Sequence, residues 1–176
     1  MMLSKLRSLD TLAFTEHGQK LSSQCSATLF ERATEGLPEQ DETQMIDWQL
    51  WGETDAAGHR LLHVRLDGVV RLECQRCLED FAFPVQSENT FLLVEHESEL
   101  AIGEDDPEAL ERILIARKFD GFELLEDELI LSLPYVPVHD ECPNLPSEFF
   151  ADGEDTTEHT ERKNPFKVLK QLKKDS

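Results

Sequence analysis

The sequence predicts an α+β fold: an antiparallel β-meander sheet with one or two packed helices, then an acidic flexible linker and a C-terminal basic amphipathic helix. Three observations carry that expectation. Apolar residues alternate with polar ones through Ile46, Trp48 and Leu50, and again through Leu62, Val64 and Leu66, the period of strands with one face on a core. Leu125, Leu129 and Leu133 recur instead at helical spacing, with acids on the other face. Charge is split along the chain. The 176 residues carry −20, yet residues 162–176 hold six bases against one acid, which leaves −25 on the rest.

Taken in order, residues 1–20 show no clear period, and residues 21–32 read as a strand running into a short helix. Residues 35–42 form a polar, proline-containing loop before the strand around Trp48, and residues 55–58 (DAAG) a turn after it. Leu62, Val64 and Leu66 give a second strand, Gly68 a bulge or tight turn, and Val70 and Leu72 a third strand running into Cys74. Phe81, Phe83 and Val85 alternate again, and residues 91–94 form another short strand. Residues 113–116 are a short apolar strand beyond an acidic loop. The helix over 123–133 ends at Pro134, and Pro137 and Pro143 keep the following stretch extended.

The expected organisation is a globular α+β domain over 1–146, an acidic disordered linker over 147–163 and a helical tail over 164–176. The tail opens with Asn164 and Pro165, the residue order of an N-cap followed by proline at the first helical position. Phe166 follows, then Leu169 and Leu172 on one side and Lys167, Lys170 and Lys174 on another, a partner-binding pattern. Such a tail either docks on a partner or packs back on its own acidic domain.

The totals narrow the function classes. No apolar run reaches the ~18 residues that span a bilayer, and the first ten residues lack the apolar core of a signal peptide. The expectation is a cytoplasmic protein with no membrane partner. A body at −25 repels phosphate backbones, so contact with nucleic acid needs a local basic patch or a protein intermediary. Four cysteines, Cys25, Cys74, Cys77 and Cys142, raise metal binding or catalysis before disulfides in a reducing compartment.

The chemical signal is a split constellation. Cys74-Gln75-Arg76-Cys77 is one two-ligand hook, and His139-Asp140-Glu141-Cys142 is another about sixty residues later. Brought together they make a Cys₃His set, a closed tetrahedral zinc site with no open position, hence structural rather than catalytic. It would pin the end of the meander to the segment after the helix. The alternatives stay open: His139 as an ordinary surface histidine and Cys142 as a small buried residue, or a redox or zinc-dependent enzyme using the CxxC pair. A thioredoxin-type role needs the motif at a helix start, whereas here it lies between strands. His59 and His63 lack the glutamate of a zinc-protease helix and read as one solvent face of a strand. No phosphate-binding, dinucleotide or serine-nucleophile motif occurs, and no catalytic residue or small-molecule substrate is nominated.

Residues 70–81 (VRLECQRCLEDF), 126–142 (EDELILSLPYVPVHDEC) and 164–172 (NPFKVLKQL) together closely resemble the YceD family of bacterial proteins. The order of three boxes carries the resemblance; CxxC alone would not. It covers roughly residues 65–144 and the tail. The resemblance implies a role in accumulation of large-subunit ribosomal RNA through its synthesis, processing or stability, with no known reaction. The expected partners are ribosomal proteins or assembly factors, the large-subunit RNA precursor, or both.

Overall fold

In the computed structural model, which describes residues 2–101 and 109–143, alternation of apolar side chains builds one five-stranded sheet in the order β1-β2-β3-β4-β5. The strands are β1 (Lys20–Ser26), β2 (Met45–Thr54), β3 (Arg60–Glu73), β4 (Asp80–Val94) and β5 (Glu111–Leu114). The first four form an antiparallel meander, and β5 lies parallel to the end of β4. The α+β architecture and the meander are those the periodicity indicates. Contacts group residues 1–142 into one compact unit; of a second unit, from Pro143 onward, only Pro143 is described. The acidic stretch 147–163 and the tail residues Asn164, Pro165, Phe166, Lys167, Leu169, Lys170, Leu172 and Lys174 lie outside the described residues.

Two expected breaks are absent. The second and third strands are one strand, β3, and residues 81–85 and 91–94 both belong to β4. Gly68 is no turn. A Cβ there would lie 2.3 Å from the Met45 carbonyl oxygen, so glycine lets β2 cross against β3 without interrupting it.

The helices are α1 (Met2–Leu6), α2 (Thr11–Glu16), α3 (Glu31–Thr34) and α4 (Gly121–Ser132). The first two arise where the sequence shows no period. At five and six residues they are too short to form alone, and tertiary bonds hold them instead. Thr11 exchanges hydrogen bonds with Ala116, and Leu9 pairs with Phe119, which ties the N-terminus to the segment between β5 and α4. Asp10 caps α2 and Asp120 caps α4 by accepting bonds from the first-turn N–H groups. Helix α4 matches the expected 123–133 helix within two residues at its start and one at its end.

The core lies on the sheet face that carries Ile46, Trp48, Leu50, Leu62, Val64, Leu66, Phe91 and Leu93, and α4 covers it with Phe122, Leu125 and Leu129. Two buried carboxylates of α4 are satisfied differently. Glu126 accepts from the Arg32 backbone at 2.8 Å and its guanidinium at 2.7 Å, clamping α3 to α4. Glu128 accepts from Ser87 and Asn89 of β4. On the opposite face Trp48's neighbour Trp51 stacks on His63 at 4.8 Å. His59 precedes β3 and bonds Asp55. The two histidines therefore do not form one solvent face: only His63 lies in the strand, half-covered by Trp51.

Candidate metal centre

At its far end the β3–β4 hairpin runs out beyond β2, and its turn carries the first hook. Cys74 follows the last residue of β3 and is fully buried; Cys77 sits half-buried in the turn. The Cys74 N–H donates to the Glu79 carbonyl and the Leu78 N–H to the Cys74 carbonyl, closing a tight loop. Leu78, 70% exposed, adopts φ +61°, a left-handed conformation that an L-residue enters only at a cost. That strain sits directly after the second cysteine, where the chain turns back toward β4.

The second hook comes from the extended stretch after α4. The Gln75 N–H donates to the Pro137 carbonyl at 2.9 Å, which docks that stretch on the hairpin tip. His139 and Cys142 then face Cys74 and Cys77. The ligand atoms of all four residues lie within 4.8 Å of one another. The Cys74 and Cys142 sulfurs are 3.7 Å apart, and Cys77 Sγ is 3.3 Å from His139 Nδ1. Zinc–sulfur bonds of ~2.3 Å at the tetrahedral angle imply sulfurs ~3.8 Å apart, so the spacing fits that ion. The four predicted ligands are thus brought together; Cys25 stands apart, on β1, partly buried against the core.

Electrostatics of the cluster favour a bound cation. Burial opposes the Cys74 thiolate, but the backbone N–H groups of His139, Cys77 and Arg76 and the His139 ring outweigh it, and the Cys74 pKa is lowered. Burial raises the pKa of Cys77, and the neighbouring Cys142 and Cys74 sulfurs raise it further. Burial first, and the neighbouring sulfurs second, thus hold the proton on Cys77, and a divalent ion bound by the four residues would displace it. Three thiolates and a neutral histidine around Zn²⁺ would leave one net negative charge, placed beside a cation. Arg76, inside the first hook, offsets it: its Nε donates to Cys142 Sγ at 3.0 Å and its Nη2 to the His139 carbonyl at 2.6 Å. Phe81 covers the His139 ring at 4.6 Å. Sequence reasoning missed Arg76 and Phe81; the signal available was a base inside the hook of an acidic chain.

The fold and site define an α+β meander protein whose hairpin tip meets a second hook in a Cys₃His cluster that could hold a metal ion. Residues 62–173 match the model of the family described as large ribosomal RNA subunit accumulation protein YceD, and the chain belongs to that family. A relative from Haemophilus influenzae, named "Large ribosomal RNA subunit accumulation protein YceD", is 36% identical over 108 residues, 59% of this chain and 60% of that protein. The chain thus spans about 60% of the length of that curated relative. No solved structure matches. No helix among the described residues is long and apolar enough to cross a membrane.

Proposed function

We propose that this protein supports accumulation of the large-subunit ribosomal RNA, acting in the cytoplasm by binding and not by catalysis, with Zn²⁺ held by Cys74, Cys77, His139 and Cys142 as a structural staple. The observation that carries the metal part is the convergence of four soft ligand atoms within 4.8 Å from two hooks some sixty residues apart. A closed set leaves no position for substrate, so the ion fixes the hairpin tip against the segment after α4. The family supplies the RNA part. The charge of −25 directs the body toward basic ribosomal proteins or assembly factors, and the basic residues 162–176 toward the RNA precursor or the same partners.

The test is depletion of the protein in growing cells, with large-subunit RNA quantified against small-subunit RNA. The large-subunit RNA should fall selectively and return with the native gene; equal loss of both RNAs would sink the reading. Metal analysis of the purified chain should give one zinc per chain, absent in Cys74→Ser. One observation favours a second reading, thiol chemistry: the stabilised Cys74 thiolate lies 3.7 Å from Cys142. Its complete burial opposes it. Rapid thiol labelling without metal would establish that reading instead.

A further inference from the structure

The longest strand of the sheet, β4, is paired on both sides only over its last few residues. β3 lies against β4 from Asp80 to Leu93, whereas β5 reaches only Phe91–Val94 on the other side. Among the described residues, nothing pairs with residues 80–90 along that edge. Two bonds fix which backbone groups point there. The Glu79 carbonyl accepts from Cys74, on the β3 side, and the Val94 carbonyl accepts from Ile115, on the β5 side. Backbone groups alternate along a strand, so odd-numbered residues bond β3 and even-numbered ones face the open edge. Pro84, which has no N–H, sits at an even position, as a ladder intact on the β3 side requires. The N–H of Thr90, also even, is taken by Asn89 Oδ1 at 2.7 Å. The N–H groups of Ala82, Gln86 and Glu88 remain aimed outward.

Beside the first part of this edge, and bordered by His139 of the cluster and the Phe81 ring that covers it, runs a groove of about 480 Å³ whose other walls are Ala82, Phe83, Pro84, Val138, Asp140 and Glu141. Its walls pair apolar surface with carboxylates, and Asp80 and Glu88 add acid along the strand. The sheet's other edge, β1, carries no acid and begins at Lys20.

We propose that the open edge of β4 is a β-augmentation site for an extended basic segment of a partner protein, in which lysine or arginine alternates with apolar residues. The added strand's backbone would bond Ala82, Gln86 and Glu88. Its apolar side chains would enter the groove against Phe83 and Val138, and its cations would meet Asp140 and Glu141. A phosphate-bearing ligand would meet the same carboxylates and be repelled. This inference rests on the reading that the protein acts by binding basic partners, and it names the place and the chemistry.

The experiment uses the full purified chain with its metal retained and a synthetic peptide alternating lysine with valine, with a glutamate–valine peptide and a single-stranded RNA oligonucleotide as comparators. Amide exchange by NMR should show Ala82, Gln86 and Glu88 protected by the lysine peptide alone. Ala82→Pro and Gln86→Pro each remove one outward donor and should weaken binding about fivefold, the loss of one hydrogen bond of ~1 kcal/mol. Asp140→Asn with Glu141→Gln leaves the backbone untouched and should also weaken it, more at low salt than at high. Equal binding of the glutamate peptide, protection by the RNA, or binding without protection at these three amides would overturn the proposal. Peptide binding is read without reference to RNA accumulation in cells, so failure here and failure of the functional reading are separate results.

Discussion

The two ends of the β3–β4 hairpin are held by different physics. At the base, Arg60–Gly68 pairs with β2 as well as β4, and Leu62, Val64 and Leu66 are wholly buried beneath α4 and its neighbours. At the tip, residues 69–73 of β3 pair with β4 alone, a two-stranded ribbon of a kind that is marginal in water. The inner face still reaches the core through Val70, Leu72 and Val85. The missing third strand is replaced by a side chain. Gln40 donates to the Arg71 carbonyl at 2.9 Å and accepts from the Arg71 N–H at 2.8 Å, satisfying both backbone groups as a neighbouring strand would. Beyond it the Cys/His cluster closes the end. The base is stabilised by area removed from water across three paired strands, and the tip by its buried inner face together with a few directional bonds, so the tip can be loosened without unfolding the base.

The largest effect should come from the base. Leu66→Ala empties a fully buried site and should cost about 2–5 kcal/mol, lowering the whole denaturation curve as one transition. A loss confined to the tip would mean that the two ends are not held by different physics. Metal removal comes next and should act in the opposite way. A strong chelator, or Cys142→Ser, should abolish amide protection at Val70, Leu72 and Phe83 while Trp48, Leu50 and Val64 stay protected, read by hydrogen exchange. Structural zinc in small peptides contributes on the order of 10 kcal/mol to folding, but here an independent core limits the damage. Global unfolding on chelation would show that the cluster supports both ends.

The base was far more legible in the sequence than the tip. Alternation at 46–50 and 62–66 and the leucine spacing of α4 are local patterns, and burial of one face follows from them directly. The ligand types were legible too, because two hooks of two make a permitted zinc set wherever the chain brings them together. What brings them together was not legible. Gly68 reads as a break, since its purpose is a close approach by Met45, remote in sequence. The parallel pairing of β5, the bond from Gln75 to Pro137 and the insertion of Gln40 are all long-range, and no periodicity encodes them. Helices α1 and α2 are fixed by contacts to residues 116–119, not by their own pattern.

Smaller substitutions sharpen the account of the tip. Gln40→Ala leaves two backbone groups of Arg71 without their partner and should cost about 1–3 kcal/mol in equilibrium denaturation. Were the cost near zero, water would be replacing the amide and the ribbon would need no third strand. Leu78→Gly removes the left-handed strain while exposing nothing that was buried. It should raise stability by about 1 kcal/mol with metal content unchanged. A loss of metal on that change would mean the leucine side chain itself orders the hook.

The smallest expected effect is a pH dependence in the same ribbon. Asp41 accepts from the Thr43 hydroxyl and backbone N–H and pairs with Arg71 at 2.7 Å, and these bonds hold its pKa below the ordinary 3.8. A carboxyl depressed in the folded state stabilises it above the unfolded pKa, and that contribution disappears as pH falls through the folded value. The thermal midpoint of Asp41→Asn should therefore lie slightly below that of the native chain, by an amount that is constant from neutral pH down to about 5 and shrinks below about 4. A gap that persisted unchanged in acid would mean that the Thr43 bonds act as neutral hydrogen bonds. The hold of this loop on Arg71, and through it on the ribbon, would then owe nothing to charge.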